Sequence, residues 1–473
     1  MKKFTKILLI GCLLVTVSCN NWLDVEPKSQ VKDKDLFASE MGFKEALSGV
    51  YSLMTKEALY GKELTFGWLG VLGQEWTSVP YNYEDDQKYD FENAASEVRI
   101  DSVWTGLYNA IANANKLLKE LEGKENLFSG DNYFIIKGEV LALRAYLHFD
   151  LLRIFGASCT VGMERIAIPY VTEYAPTIFP QEKVGDFVGK VLNDLQDAAK
   201  CLENDPILTG RTVSEIDDNG YLMNRQVHLN YYAVKGLMAR VYLYKGDYAN
   251  AEVCAKEVIG SGCFEWVKQE NLTNESVADL TFSTEHLFAL NIVTLGNIVD
   301  KYLDGGNNSF ALEESRLSEY YGSSYDYRYL YLFKTGVGMS NTLRYLKKYD
   351  QLESVSWAQS YRNKLPLICL PEMYYILAEC RYHSSGDVLE PLNEVCRHRG
   401  VADLSEADLS AFETLLLAEY RKEVIGGGQL FFQYKRLNRS VVPGTDVDLA
   451  REGRYVIPMP KEELENPGWV SNQ

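Results

Sequence analysis

The chain has 473 residues, 46% of them hydrophobic, enough to bury a large core in one large or two ordinary domains. Its formal charge of −18 at pH 7 gives it an acidic character, which argues against nucleic acid as a partner. Nine cysteines without any CxxC spacing suggest neither a disulfide framework nor a zinc site.

Lys2, Lys3 and Lys6 precede an uncharged run from Ile7 to Val17 that is too short to span a bilayer as a helix, so the start of the chain reads as an export signal. Ser18 and Cys19 follow it and resemble the cleavage box of bacterial lipoproteins, in which the cysteine becomes the lipidated first residue. Residues 1–18 are therefore expected to be a signal peptide, and 19–36, a polar stretch, the lipid anchor and tether. With Cys12 and Cys19 set aside, seven cysteines remain, an odd number that suits buried small apolar residues.

From Phe37 to Met54 the apolar positions Phe43, Leu47, Val50, Tyr51 and Met54 keep helical spacing. The period then fails between Leu59 and Ala95, where Trp68, Trp76, Tyr81, Tyr83 and Tyr89 stand among Gly, Pro and acidic residues, and this reads as a long functional loop. Helical patterns return at Trp104–Leu121, at Asn132–Phe155 with Gly156 after it, and at Val184–Leu202. Leu229–Gly260 reads as two helices folded on one another, with Gly246 ending the first, Asp247 capping the second, and Ala239, Ala251 and Ala255 placed for close packing. That spacing resembles the tetratricopeptide repeat. From Phe264 to Lys364 the chain is rich in Gly, Asn, Ser and tyrosine, including Tyr302, Tyr320, Tyr321, Tyr325, Tyr327, Tyr329, Tyr331 and Tyr345, which suits loops better than core. Further helices are expected at Pro371–His383, Val388–His398 and Ala407–Ile425, before a loop-rich tail. The predicted class is thus mostly α: tetratricopeptide-like helix pairs with a long loop-rich portion.

Several segments, in order, resemble the SusD/RagB family of outer-membrane nutrient-binding lipoproteins. They are CNNWLDVEP, WTGLYNAIANANKLL, GEVLALRAYLHFDLLRIFG, LYKGDYANAEVCAKEVI, YDYR with KKYD, PEMYYILAE, PLNEVCRHRG, EYRKEVIGGGQLFFQYKRLN and YVIPMP. Cys369 departs from the pattern, standing where the family often has Arg, three residues before Glu372, and this removes the arginine of a local ion pair. The resemblance implies a single SusD-like domain over residues 37–473, with helices mainly in 37–263, a loop-rich insertion in 264–365 and C-terminal helices and tail in 366–473. It further implies a surface-exposed lipoprotein, held in the outer membrane through Cys19, that acts as a lid on a TonB-dependent, SusC-like transporter. The helical face would meet the barrel, and the protein would bind without catalysing.

Glycan recognition needs flat aromatic rings for C–H faces and nearby Asn, Asp or Glu for hydroxyls. Two loops supply that mixture, and the candidates are Trp76, Tyr81, Tyr83 and Asp86 from the first, Tyr302 and Asn307 from the second, and Tyr325 and Tyr327 after it. Peptides are the alternative ligand, since tyrosine-rich loops serve either. Arg144 and Arg436 read as buried, paired arginines, and Asp326 with Arg328 as an exposed ion pair or loop anchor. A helical glycoside hydrolase would need only two spaced carboxylates. The five histidines, however, show no HExxH pairing, no GxSxG elbow is present, and Asp304–Asn308 reads as a turn before a calcium site. No cofactor or metal is expected. A pure interaction scaffold would leave the tyrosine-rich loops unexplained.

Overall fold

The computed structural model describes residues 34–210, 220–274, 276–336, 342–351 and 361–472. Cys19 and most of the expected tether lie outside them. The helices of seven residues or more are α1 Glu40–Met54, α2 Ala94–Leu121, α3 Asn132–Phe155, α4 Val184–Cys201, α5 Tyr231–Lys245, α6 Tyr248–Ile259, α7 Leu295–Tyr302, α8 Glu314–Tyr321, α9 Leu370–His383, α10 Leu389–His398, α11 Phe412–Glu423 and α12 Leu430–Arg436.

The architecture is mostly helical and centres on α3, whose residues are buried almost without interruption from Tyr133 to Phe155. A helix buried on every side must be covered on every side. Accordingly α2 and α4 flank α3, α4 continues onto α5, α5 onto α6, α6 onto α9 and α9 onto α10. This run of neighbouring helices is consistent with the tetratricopeptide-like pairing expected from Leu229–Gly260. In that hairpin Asn230 accepts from the Ala233 N–H at 2.9 Å to cap α5, and Gly246 ends it at a left-handed φ of +81°. Asp247 then opens α6 by accepting from Asn250 N–H.

Strands are few. β1 (His286–Asn291) pairs antiparallel with β5 (Lys364–Cys369), and β2 (Leu312–Glu313), β3 (Phe333–Thr335) and β4 (Leu343–Leu346) form an antiparallel ribbon in the order β2-β4-β3. The β1–β5 pair lies so close to α5 that a Cβ on Gly236 would come within 2.8 Å of Leu287 Cδ2. The expected loop-rich stretch 264–365 thus carries short helices and these two small sheets.

Among the described residues, buried charge is paired by ions or hydrogen bonds. Arg144 bonds Asp194 through Nε and Nη2, both at 2.7 Å, and Arg436 bonds both oxygens of Glu379 at 2.6 and 2.7 Å, as their apolar settings predict. Glu372, left without an arginine at position 369, is held instead by Arg240 at 2.6 Å from across the helix layer. Asp326 and Arg328 are buried, so the expected exposed pair is corrected: they form an interior anchor in which Arg328 also reaches Glu419 and Glu423. The surrounding helices supply those carboxylates from about a hundred residues downstream, which local pattern does not register. Cys254, Cys380 and Cys396 are buried and Cys263 is exposed, and the seven described cysteines are free thiols.

Glu139, on α3, accepts from Arg225 Nη1 at 2.7 Å, Tyr51 Oη at 3.0 Å and Tyr221 Oη at 3.1 Å. Burial alone would raise its carboxyl, but Arg225 and His228 win and hold it at about 2 against an ordinary 4.5. A depressed carboxylate stabilises the fold above its unfolded value and loses that contribution as pH falls through the folded one. The stability gap between the native chain and Glu139→Gln is therefore expected to be widest above pH 4.5 and to narrow toward pH 2, as read by urea titrations across that range. A gap independent of pH would contradict the pairing.

Candidate functional site

The segment from Leu59 to Ala95 lacks a period because it is held by side chains. Its buried tyrosine and tryptophan rings are amphipathic, and their polar ends find partners inside. Tyr60 Oη donates to Asp150 at 2.7 Å, Trp68 Nε1 to Asp86 at 2.9 Å, Trp76 Nε1 to Phe66 O at 2.7 Å, Tyr83 Oη to Glu63 at 2.8 Å and Tyr89 Oη to Leu72 O at 2.8 Å. Asp86 also accepts from Ser96 Oγ and pairs with Arg99. Burial pushes its carboxyl up to about 6, against the opposing pull of Arg99.

The two candidate loops do meet. Ser78 and Ala311 bridge antiparallel, and Phe310 packs against Trp76, Tyr83 and Tyr302 with ring centroids 6.0, 5.1 and 6.5 Å away. What they bring together is an aromatic core. Trp76, Tyr83, Asp86 and Tyr302 are buried, which corrects the expectation that they face a ligand: an enclosed ring has no face to offer. Tyr302 further donates to Glu57 at 2.6 Å. Tyr81 and Tyr325 stand in solvent, 86% and 76% exposed, and Asn307 is exposed beside them in kind but on a separate turn. Tyr327 is half-buried over Gly400, whose φ is +71° and where a Cβ would meet the ring at 2.4 Å. Asp304, at the start of the candidate calcium turn, bonds Lys334 Nζ at 2.8 Å. Among the described residues no group of three or more His, Cys, Asp or Glu is placed to hold a metal.

Above the aromatic core lies a cleft of about 650 Å³, built from three separated segments. The first contributes Gln74, Trp76, Thr77, Gln87 and Lys88, the second Glu313, Arg316 and Tyr320, and the third Gly444, Thr445, Asp446 and Val447. Its frame is fixed by hydrogen bonds. Gln87 Nε2 donates to Trp76 O at 2.9 Å, and Glu313 N–H to Thr77 Oγ1 at 2.7 Å. Gln74 has a left-handed backbone, φ +53°, and its carbonyl accepts from Arg421 Nη1 at 2.8 Å. Buried Arg421 also bonds Tyr434 Oη at 2.7 Å and Pro443 O at 3.3 Å, and lies 4.3 Å beneath the ring of half-buried Tyr320. One guanidinium thus ties all three segments and holds Tyr320 by cation–π contact. At the third segment Gly444 adopts φ +105° and leaves room for the Gln74 side chain, 3.1 Å from where a Cβ would sit.

The result is an open concavity with one supported aromatic ring, amides, hydroxyls and charges of both signs. None of the five histidines lines it. Of the sequence candidates only Trp76 lines it. Tyr320 stood in the tyrosine series without being singled out, and Arg421 and the 444–447 turn were missed. The Pro443-Gly444-Thr445-Asp446 turn signal was the one local clue.

The chain is thus a helical scaffold of layered helix pairs with a cleft among its connections. Residues 21–243 match the family described as starch-binding associating with outer membrane, SusD-like. The chain is 24% identical over 269 residues to SusD-like protein P38 of Formosa agariphila, an alignment covering 56% of this chain and 47% of that protein, so it spans about half the length of that relative. A SusD superfamily protein from Bacteroides thetaiotaomicron superposes with a TM-score of 0.74 at 21% identity, covering 92% of this chain and all of the other. The surface glycan-binding protein A from Bacteroides uniformis superposes with a TM-score of 0.70 at 18% identity, covering 92% of this chain and 99% of that one. Residues 21–243 are thus similar to the SusD-like family, and the fold of the chain is that of the SusD superfamily structures. Among the described residues no helix is long and apolar enough to cross a membrane.

Proposed function

We propose that this protein captures oligosaccharides at the cleft over Tyr320 and passes them to a SusC-like, TonB-dependent transporter, standing at the outer-membrane surface on a lipid at Cys19. One observation carries the reading. The cleft pairs a ring held from beneath by Arg421 with a rim of amides, hydroxyls and balanced charges, and this suits a neutral, hydroxyl-rich solute better than an ion or an apolar molecule. The glycan-binding relative from Bacteroides uniformis supports the ligand class. The SusD-like fold supports the partner, with the α2–α6 helical layer as the face turned to the barrel. The rim contains no histidine, and the role is capture without catalysis.

The test is calorimetric titration of the chain beginning after Cys19 against neutral oligosaccharide pools and peptide pools, with the mixtures assayed afterwards for cleavage. Saturable binding of an oligosaccharide without cleavage is expected. Tyr320→Ala should weaken it by about 1–3 kcal/mol, the scale of aromatic contacts at binding sites, with little change in melting temperature because the ring is only half-buried. Binding of peptides alone would change the nutrient, cleavage would make the protein an enzyme, and full affinity in Tyr320→Ala would move the site elsewhere.

A further inference from the structure

A separate cavity of about 280 Å³ opens where α12 meets the segments after α3 and before the C-terminal tail. Its wall includes Ser158, Arg165, Lys435, Asn438, Glu452 and Arg454. In a chain of net charge −18, three cations on one wall against one carboxylate is a local reversal of sign. Lys435 is 1% exposed, and its Nζ donates to Arg153 O at 2.7 Å and Ile154 O at 3.2 Å, the carbonyls at the end of α3. That caps the helix and uses two of three ammonium hydrogens, yet no carboxylate among the described residues pairs with it. Buried charge without a counter-charge is costly. Arg165 is exposed and has no carboxylate partner among the described residues, while Arg454 has a loose one, Glu452 at 3.8 Å, and a long bond to Tyr89 O at 3.4 Å. Ser158, 2% exposed, supplies a hydroxyl with no hydrogen-bond partner among the described residues.

We infer that this cavity binds the anionic head group of a small ligand, a carboxylate or a sulfate, between Arg165 and Arg454 and over Lys435. Guanidinium groups suit both oxyanions because their paired N–H donors match two oxygens. The anion would supply the counter-charge that Lys435 lacks, and Ser158 Oγ offers a donor once the pocket is occupied. Burial pushes the Lys435 ammonium well down, with Arg153 adding to the effect, so a bound anion and a protonated lysine stabilise one another. Glu452 opposes the anion on one side, which limits affinity.

The site is independent of the Tyr320 cleft, so the two readings fail separately. The experiment titrates the intact folded chain with sodium glucuronate, inorganic sulfate and, as the neutral control, glucose, at low salt and again with added sodium chloride. Saturable binding of glucuronate, sulfate or both, weakened by salt and absent for glucose, is expected. Glucuronate alone identifies a carboxylate ligand and sulfate alone a sulfate. Arg165→Gln/Arg454→Gln should lose at least tenfold in anion affinity while keeping oligosaccharide binding at the Tyr320 cleft. If the double variant is unstable, Arg165→Gln alone, at an exposed position, should still lose severalfold. No saturable anion binding, or binding undiminished in these variants, would overturn the inference.

Discussion

Tyr83→Ala is expected to lower the unfolding free energy by about 3–5 kcal/mol, the range for deleting a large buried aromatic side chain. The ring is 1% exposed, meets Phe310 edge-on at 5.1 Å and lies 3.9 Å from the Arg99 guanidinium carbon. Its hydroxyl bonds both oxygens of Glu63, at 2.8 and 3.1 Å. The substitution opens a cavity and leaves a buried carboxylate short of one donor, and the two losses add. Tyr83→Phe keeps the packing and should cost only about 1–3 kcal/mol, from the unsatisfied group alone. Tyr81→Ala, two residues away on an 86% exposed ring, should stay within about 0.5 kcal/mol of the native chain. Urea denaturation of the three variants separates these cases. A Tyr83→Ala protein that unfolds like the native chain but binds glycan poorly would return that ring to the ligand.

Arg399→Met should cost about 3–5 kcal/mol, because removing one member of a buried ion network strands the others. Arg399 is fully buried and joins Glu285, at 2.6 and 2.9 Å, to Glu423, at 2.7 and 3.0 Å. Glu423 in turn receives Arg328, which holds Asp326 at 2.7 Å. Burial already raises the Glu285 carboxyl, with Arg399 as the main force pulling it back. Without that arginine Glu285 would take up a proton in the folded state, so the deficit should shrink as pH is lowered. Arg399→Met/Glu285→Gln should recover part of the loss for the same reason. Guanidinium titrations at pH 7 and pH 5 test both statements, and a loss below about 1 kcal/mol at pH 7 would make the network dispensable.

The regular helices were legible because a helix writes its buried face into a period. Asn132–Phe155 was bounded from sequence at both of its ends, and the Gly246–Asp247 corner was placed by its capping chemistry. α2 begins at Ala94, ten residues before its expected start at Trp104, because Asn93 caps it by accepting from Ser96 N–H at 3.0 Å and its first turns are largely polar. The stretch from Leu59 to Ala95 was legible as special but not as interior. Its rings are satisfied by partners such as Asp150 and Phe310, far along the chain, and no local period encodes such a partner. The cleft was hidden for the same reason. Its ring, its arginine and its turn come from three segments that only the tertiary fold assembles.

Arg421 has a kinetic side as well. Its bond to Gln74 spans 347 residues, and close by Gly426 N–H donates to Glu75 at 2.7 Å while a Cβ on Gly428 would meet Leu64 O at 2.5 Å. Contacts this distant in sequence form late, because the loop-closure entropy is lost before the contact is gained. The helical layer has near neighbours and can assemble early, whereas the cleft waits for the final fifth of the chain. Until then the rings of the Leu59–Ala95 stretch lack their cover, and the folding chain passes through a stage in which its stickiest surface is open while the cleft does not yet exist.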